Sequence, residues 1–200
     1  MKIIAATTNK HKIREIDAIT KNYGMDLVSR SDAGVPEDFD VIEDGTTFEE
    51  NSYKKAFAIM KLTGMPAVAD DSGLVVDALG GAPGVFSARY AGVDGEEADA
   101  ANRKKVLHEL EGVKMKERTG RFVCVITLVY PDGKALVARG ECEGHITAEE
   151  KGENGFGYDC MFQPIGYDIT FGQFDPDEKN KISHRANALK KMARLLGGNS

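Results

Sequence analysis

The chain has 200 residues, 42% hydrophobic and 29% charged, with a formal net charge of -6. That mixture excludes global disorder and suits one globular domain over 1–200. No apolar run approaches the ~20 residues of a membrane span, and the acidic balance argues against a protein that coats long nucleic acid.

The opening Met1-Lys2-Ile3-Ile4-Ala5-Ala6-Thr7 turns polar too quickly for a signal peptide and reads as a strand over 2–7. A cytoplasmic protein with neither membrane nor nucleic-acid partners is therefore expected. Residues 10–23 read as a helix with Ile13, Ile16, Ile19 and Tyr23 on one side and Gly24 as its stop. Met25 to Val28 reads as a second strand, followed by a loose acidic stretch over 31–45. Thr47-Phe48-Glu49-Glu50 is a capping box opening a helix whose expected buried face is Tyr53, Ala56, Phe57 and Met60, with a stop near Gly64. A strand is expected to follow Pro66 and end at Asp70-Asp71-Ser72, and 96–111 is expected to be a helix with Val106, Leu107 and Leu110 inward. Arg121 to Tyr130 and Ala135 to Ile146 are long strand-like runs joined by Pro131-Asp132-Gly133, the signature of a hairpin. A Gly-rich loop over 152–157 precedes a last helix from about Ser183 to Leu196, with Ala186, Leu189, Met192 and Leu196 on its apolar side. βα units together with a long hairpin predict an α/β protein with a mixed sheet. Cys124, Cys142 and Cys160, odd in number and widely spaced, form neither a disulfide framework nor a zinc motif and read as reduced thiols.

Five segments carry residue types suited to chemistry. Thr7-Thr8-Asn9-Lys10-His11-Lys12 lies where a strand gives way to a helix, so free amides, the helix dipole and Lys12 together favour an anion. Helix capping with solvated lysines is the plainer reading of the same residues, and no P-loop motif occurs anywhere in the chain. Asp70 and Asp71 end an apolar strand, where α/β sheets bind ligands, and adjacent strand residues point to opposite faces. One carboxylate can hold a metal while the other orients a neighbour; a polar turn is the alternative. Most of Glu37, Asp38, Asp40, Glu43 and Asp44 read as a solvated loop, from which one side chain can complete a metal site with the aspartates. In Gly155-Phe156-Gly157-Tyr158-Asp159, an aromatic between glycines can lie flat against a planar ring, with Asp159 free to read ring N–H groups. A Gly-rich turn around a core Phe accounts for the segment equally well. Glu178 to Arg185 brings Ser183 as an N-cap with His184 and Arg185 in the first turn, where a nearby anion or ring carbonyl would offset the unfavourable dipole.

In order and spacing these segments resemble the inosine triphosphate pyrophosphatase family, the XTP/dITP diphosphatases. Gly80-Gly81-Ala82-Pro83-Gly84-Val85-Phe86-Ser87-Ala88-Arg89-Tyr90 and Ile182-Ser183-His184-Arg185 are the most specific parts. The resemblance runs the full chain. It implies an elongated mixed sheet flanked by helices, two lobes around a central cleft, a homodimer, and magnesium-dependent cleavage of noncanonical purine nucleoside triphosphates (ITP, dITP, XTP) to monophosphate and pyrophosphate. It further implies that Thr7, Thr8, Asn9, Lys10, His11 and Lys12 hold the triphosphate. Glu43 and Asp71 would bind the ion, Asp71 would accept the proton, and Ser72 would contact substrate. Phe156, Gly157, Tyr158 and Asp159 would hold the base, with Lys179, His184 and Arg185 completing the pocket. The chain departs from the family pattern at Thr8, often Gly or Ser, and at Cys160, usually Pro. A pyrophosphatase of modified pyrimidine nucleotides, a catalytically silent nucleotide sensor and an RNA-binding module are the rival readings.

Overall fold

A computed structural model describes residues 1–197, excluding the side chains of Lys10 and His11. In chain order the elements are β1 (Lys2–Ala5), α1 (Lys10–Thr20), β2 (Asp26–Val28), α2 (Phe48–Thr63), β3 (Ala67–Val76), α3 (Ala98–Glu109), β4 (Thr119–Val129), β5 (Ala135–Ile146), β6 (Phe162–Pro164), α4 (Pro176–Ile182) and α5 (His184–Gly197). The strands form one six-stranded sheet in the order β2-β1-β3-β4-β5-β6. β1 is parallel to both β2 and β3, whereas β6 is antiparallel to β5, so the mixed sheet expected from the sequence is borne out. Among the described residues no helix is long and apolar enough to cross a membrane.

The chain divides into two compact units. The first comprises Met1–Asp71, Cys124–Gly140 and the stretch from Ala188 onward; the second comprises Ser72–Val123 and Glu141–Asn187. In the first unit, one cluster packs Ile3, Ile16, Val68, Ile126 and Leu128 against Leu189 and Met192 of α5, and another packs Ile4, Ala56, Ile59, Ala67 and Ala69. In the second, Leu74, Val106, Leu110, Phe122, Ile146, Phe162 and Phe171 form the core.

Local signals in the sequence are realised closely. Thr47 caps α2: its hydroxyl accepts from the Glu50 amide at 3.1 Å while the Glu50 carboxylate accepts from the Thr47 amide at 3.2 Å. Gly24 and Gly64 end their helices in the left-handed region, at φ 67° and 68°, where a side chain would clash with its own backbone. Ser183 caps α5, its hydroxyl accepting from the Ala186 amide at 3.2 Å. The Pro131-Asp132-Gly133 turn closes the β4–β5 hairpin with Tyr130 N–H donating to the Lys134 carbonyl at 2.8 Å.

Two expectations need correction. Tyr53 and Phe57 are not core residues: they stand 40% and 38% exposed and stack on each other at 5.6 Å. The buried face of α2 is rotated toward Asn51, Ser52, Ala56, Ile59 and Met60, because Ser52 is wholly buried and its hydroxyl meets that of Thr127 at 2.7 Å. β3 also does not end at Asp70-Asp71-Ser72 but continues to Val76. It is β1 that stops there. Its last pairs with β3 are Ile4 with Ala67 and Ala5 with Val68, and the Ala6 amide still donates to the Val68 carbonyl at 2.8 Å. The aspartates therefore lie just past the end of the parallel pairing, the kind of place where α/β sheets receive ligands.

Candidate active site

In the first unit, the departure of β1 and the start of α1 leave a cavity of about 210 Å³ lined by Ala6, Thr7, Thr8, Lys12, Arg30, Asp40, Val41, Glu43, Lys55 and Asp70. Three cations line it. Asn9 caps α1, its side-chain oxygen accepting from the Lys12 amide at 3.3 Å, and the Thr7 hydroxyl accepts from the Asn9 amide at 3.2 Å. Capping and anion binding are thus compatible here: Asn9 organises the turn while Thr7, Thr8 and Lys12 face the cavity. The side chains of Lys10 and His11 lie outside the described residues.

The two aspartates have different partners, as their alternation along a strand requires. Asp70, with its side chain fully buried, pairs with Lys12 at 2.9 Å. Asp71 Oδ1 meets Lys55 Nζ at 3.1 Å, and the same ammonium reaches Glu43 Oε2 at 3.0 Å. Lys55 is thus a cation shared by the two carboxylates that the family resemblance assigns to magnesium. Asn51, one helical turn before Lys55, fixes the approach of the acidic loop by accepting from the Gly45 amide at 2.8 Å. A Cβ at Gly45 would collide with that same side chain. Of the acidic stretch, Glu37, Asp38, Asp40 and Asp44 are exposed, Asp44 pairing with Lys54 at 2.6 Å. Only Glu43 is carried to Lys55 and Asp71. Arg30 braces the loop, donating to the Phe39 carbonyl with its guanidinium 5.8 Å from the Phe39 ring.

Burial raises the Asp71 carboxyl above its ordinary 3.8, and outweighs the opposing pull of Lys55. Lys55 itself is raised above 10.5, because Asp71 and Glu43 together overcome its own desolvation. Asp71 Oδ2 is buried and, beyond the pull of the Asn51 side-chain amide, is left without a well-formed hydrogen bond. A buried carboxylate oxygen in this state, with a second carboxylate bound to the same cation, fits a divalent ion held by one or two carboxylates plus water and phosphate. Among the described residues no three His, Cys, Asp or Glu side chains group closely enough for an all-protein metal cage.

The second unit holds the aromatic segment. Phe156 is 55% exposed, whereas Tyr158 and Asp159 are buried at 5% and 3%. Asp159 is an organiser of the loop: Oδ2 accepts from the Phe156 amide at 2.9 Å and from Lys179 Nζ at 2.6 Å. Gly155, at φ 79°, must lack a side chain because a Cβ there would strike that carboxylate. The Tyr158 hydroxyl donates to the Ser87 carbonyl at 2.7 Å, and the Ser87 hydroxyl accepts from the Leu74 amide at 2.9 Å. The specific Gly80–Tyr90 block therefore serves to anchor the loop to the end of β3. Lys179 lies 5.2 Å from the Phe156 ring and 5.4 Å from that of Phe171. Phe171 stacks on Phe122, which stacks on His184 at 4.9 Å. His184 and Arg185 are 6% and 5% exposed, more deeply set than a surface helix start. Ser72 is half-buried and follows Asp71 along β3.

Sequence reasoning missed Lys55, Asn51, Arg30 and the α3 residues Asp99 and Arg103, which grip Gly157. The polar pair Asn51 and Lys55, four residues apart behind a capping box, was the available signal for the first two.

A family model described as the Ham1 family matches residues 3–195. The chain is 48% identical over 200 residues to a protein of Mannheimia succiniciproducens named dITP/XTP pyrophosphatase, covering 98% of each. It is also 48% identical over 194 residues to one of that name from Bacillus licheniformis, covering 97% of each. The solved Ham1 protein of Staphylococcus aureus superimposes with a TM-score of 0.90 at 38% identity, covering all of both chains. That of Coxiella burnetii gives 0.90 at 40% identity over 99% of both. The motif resemblance, the fold and these full-length matches agree: the chain belongs to the Ham1 family.

Proposed function

We propose that this protein is a magnesium-dependent nucleoside-triphosphate pyrophosphatase that hydrolyses noncanonical purine nucleotides (dITP, XTP, ITP) to monophosphate and pyrophosphate. The observation that carries the reading is the juxtaposition, within one unit, of the Lys12-bearing start of α1 with the Asp70–Asp71 strand and Glu43. Relatives 48% identical along nearly the whole chain bear the name dITP/XTP pyrophosphatase.

In this reading Lys12, Thr7 and Thr8 hold phosphate oxygens, and the first-turn amides of α1 add their dipoles. Glu43 and Asp71 would hold the magnesium ion, which when bound supplies charge neutralisation on the phosphates and a water of lowered pKa. Asp71, a carboxylate made more basic by burial, accepts the proton of the attacking water. Lys55, which lines the same cavity, is a cation available to the departing pyrophosphate. In the second unit the exposed face of Phe156 receives the base, with Lys179, His184 and Arg185 as donors toward a 6-oxo group. A site built on such a hydrogen bond rejects adenine by roughly 10⁴.

A nucleotide panel with and without magnesium, assayed for both pyrophosphate and phosphate, tests the reading. Magnesium-dependent pyrophosphate release from dITP supports it. Release of single phosphates, or dITP binding without turnover, refutes it. The homodimer and the cytoplasmic location belong to the same proposal, and light scattering on the purified protein tests the former.

A further inference from the structure

The second unit contains a helix whose polar face is spent on backbone groups of two loops. On α3, Asn102 donates to the Ala88 carbonyl at 3.1 Å and accepts from the Ala91 amide at 2.7 Å, while Lys105 donates to the Tyr90 carbonyl at 2.9 Å. The adjoining side of the same helix meets the Phe156 loop. The Gly157 amide donates to Asp99 Oδ2 at 2.9 Å, and Arg103 Nη1 donates to the Gly157 carbonyl at 3.0 Å. Asp99 and Arg103 are four residues apart, hence neighbours on one side of the helix. Arg103 is itself held, its Nε lying 3.0 Å from Glu150 Oε2 with the side chain 20% exposed. The Cys160 thiol donates to the same Glu150 oxygen at 3.4 Å.

We propose that Asp99 and Arg103 are positioning residues for base selection: by gripping the Gly157 amide and carbonyl they set the posture of the Phe156 ring. The proposal rests on the reading of Phe156 as the surface that receives the base. Phe156 is more than half exposed, so packing does not fix its ring. Its posture must come from the backbone on either side. On its N-terminal side the Phe156 amide is tied to Asp159; on its C-terminal side Gly157 stands in the left-handed region at φ 58° and is tied to α3. A glycine in that conformation has many alternatives, and two charge-assisted hydrogen bonds select one of them. Preorganisation of this kind lowers the entropic cost of binding a flat ring and leaves the chemistry at the phosphates untouched.

The test compares Arg103→Met, Asp99→Ala and Arg103→Lys with Phe156→Ala. Steady-state kinetics are read for dITP and dATP, and inhibition by tripolyphosphate reads the phosphate-binding half. Arg103→Met and Asp99→Ala should raise KM for dITP by about tenfold, leave kcat within about twofold, and shrink the preference for dITP over dATP. Tripolyphosphate inhibition should be unchanged, and Arg103→Lys, which keeps a donor for the Gly157 carbonyl, should recover part of the loss. Asp99 is exposed, so its variant folds even if loss of Arg103 does not. If Phe156→Ala raises KM while both clamp variants keep wild-type KM and base preference, the positioning role is overturned and the base-stacking reading stands. If Phe156→Ala itself leaves KM and preference unchanged, the stacking reading fails and the clamp falls with it. A drop in kcat at constant KM in the clamp variants also overturns the proposal.

Discussion

Replacing Lys55 by Met keeps an unbranched side chain one atom shorter and removes the cation that Glu43 and Asp71 share. Its ammonium lies 3.0 Å from Glu43 and 3.1 Å from Asp71, with side chains 15%, 34% and 12% exposed in the order Lys55, Glu43, Asp71. At an effective dielectric of about 20, charges this close attract by roughly 5 kcal/mol before dehydration is subtracted. The Glu43 arm is a third exposed and contributes at most about 1 kcal/mol. The Asp71 arm is buried, and stranding its carboxylate costs about 3 kcal/mol. For a chain of this length, a loss of about 3 kcal/mol lowers Tm by roughly 6–12 °C. The pH dependence carries a second signature. Lys55 is raised above 10.5, so its contribution is complete below that value and drains away as pH climbs through its higher folded pKa. The wild type should therefore show an alkaline loss of stability that the Met variant lacks. Asp71 is raised above 3.8 by burial, so its charging opposes folding as pH rises from 3.8 through its folded value. Without Lys55 that rise is larger, and the Tm gap between the two proteins should narrow as pH falls from 7 toward 3.8. Thermal unfolding followed below pH 7 reads the Asp71 effect, and the same measurement above pH 10.5 reads the Lys55 effect. A Met variant that melts within 2 °C of wild type at pH 7, with the same pH profile, would refute the assignment of Lys55 as the shared counter-ion.

Asp71→Asn should keep the fold and lower kcat by roughly 10²–10⁴, the range for removal of a general base, and near-normal pyrophosphate release would remove Asp71 from that role. Ser87→Ala strands the Leu74 amide in the core and should cost about 1–3 kcal/mol, seen as a lower denaturation midpoint, with no change if water replaces the hydroxyl fully. Burial pushes the Cys142 and Cys160 thiols up to about 11, so labelling by a thiol reagent should be slow at pH 8 and accelerate only toward pH 11. Fast labelling at neutral pH would contradict that. Gly155→Ala should disorder the Asp159-centred loop and weaken dITP binding more than phosphate binding, which competition with tripolyphosphate separates.

Much of the site was legible because its signals are local. A capping box, left-handed glycine stops and a Pro-Asp-Gly turn each act over three or four residues, so Thr47, Gly24, Gly64 and the hairpin could be read directly. The motifs around Thr7–Lys12, Asp70–Asp71 and Phe156–Asp159 pointed to the segments that line the cavity or form the aromatic loop. The roles within them were harder to read. Asp159 looked like a reader of ring N–H groups, yet its carboxylate is committed to Phe156 and Lys179. Hydropathy placed Tyr53 and Phe57 inside, because it treats buried Ser52 and Asn51 as outward-facing.

By itself the sequence determined most of the elements, the caps and the family of motifs, since these depend on spacing along the chain, but not β6, α4 or the continuation of β3 to Val76. Only the tertiary structure decided which charges meet. Lys55 finds Glu43 and Asp71 across 12 and 16 residues, and Arg103 finds Gly157 across 54. Such pairs are set by where loops are carried when the cores close, and Coulomb and hydrogen-bond terms acquire their strength only in the partly dry surroundings that this closure creates.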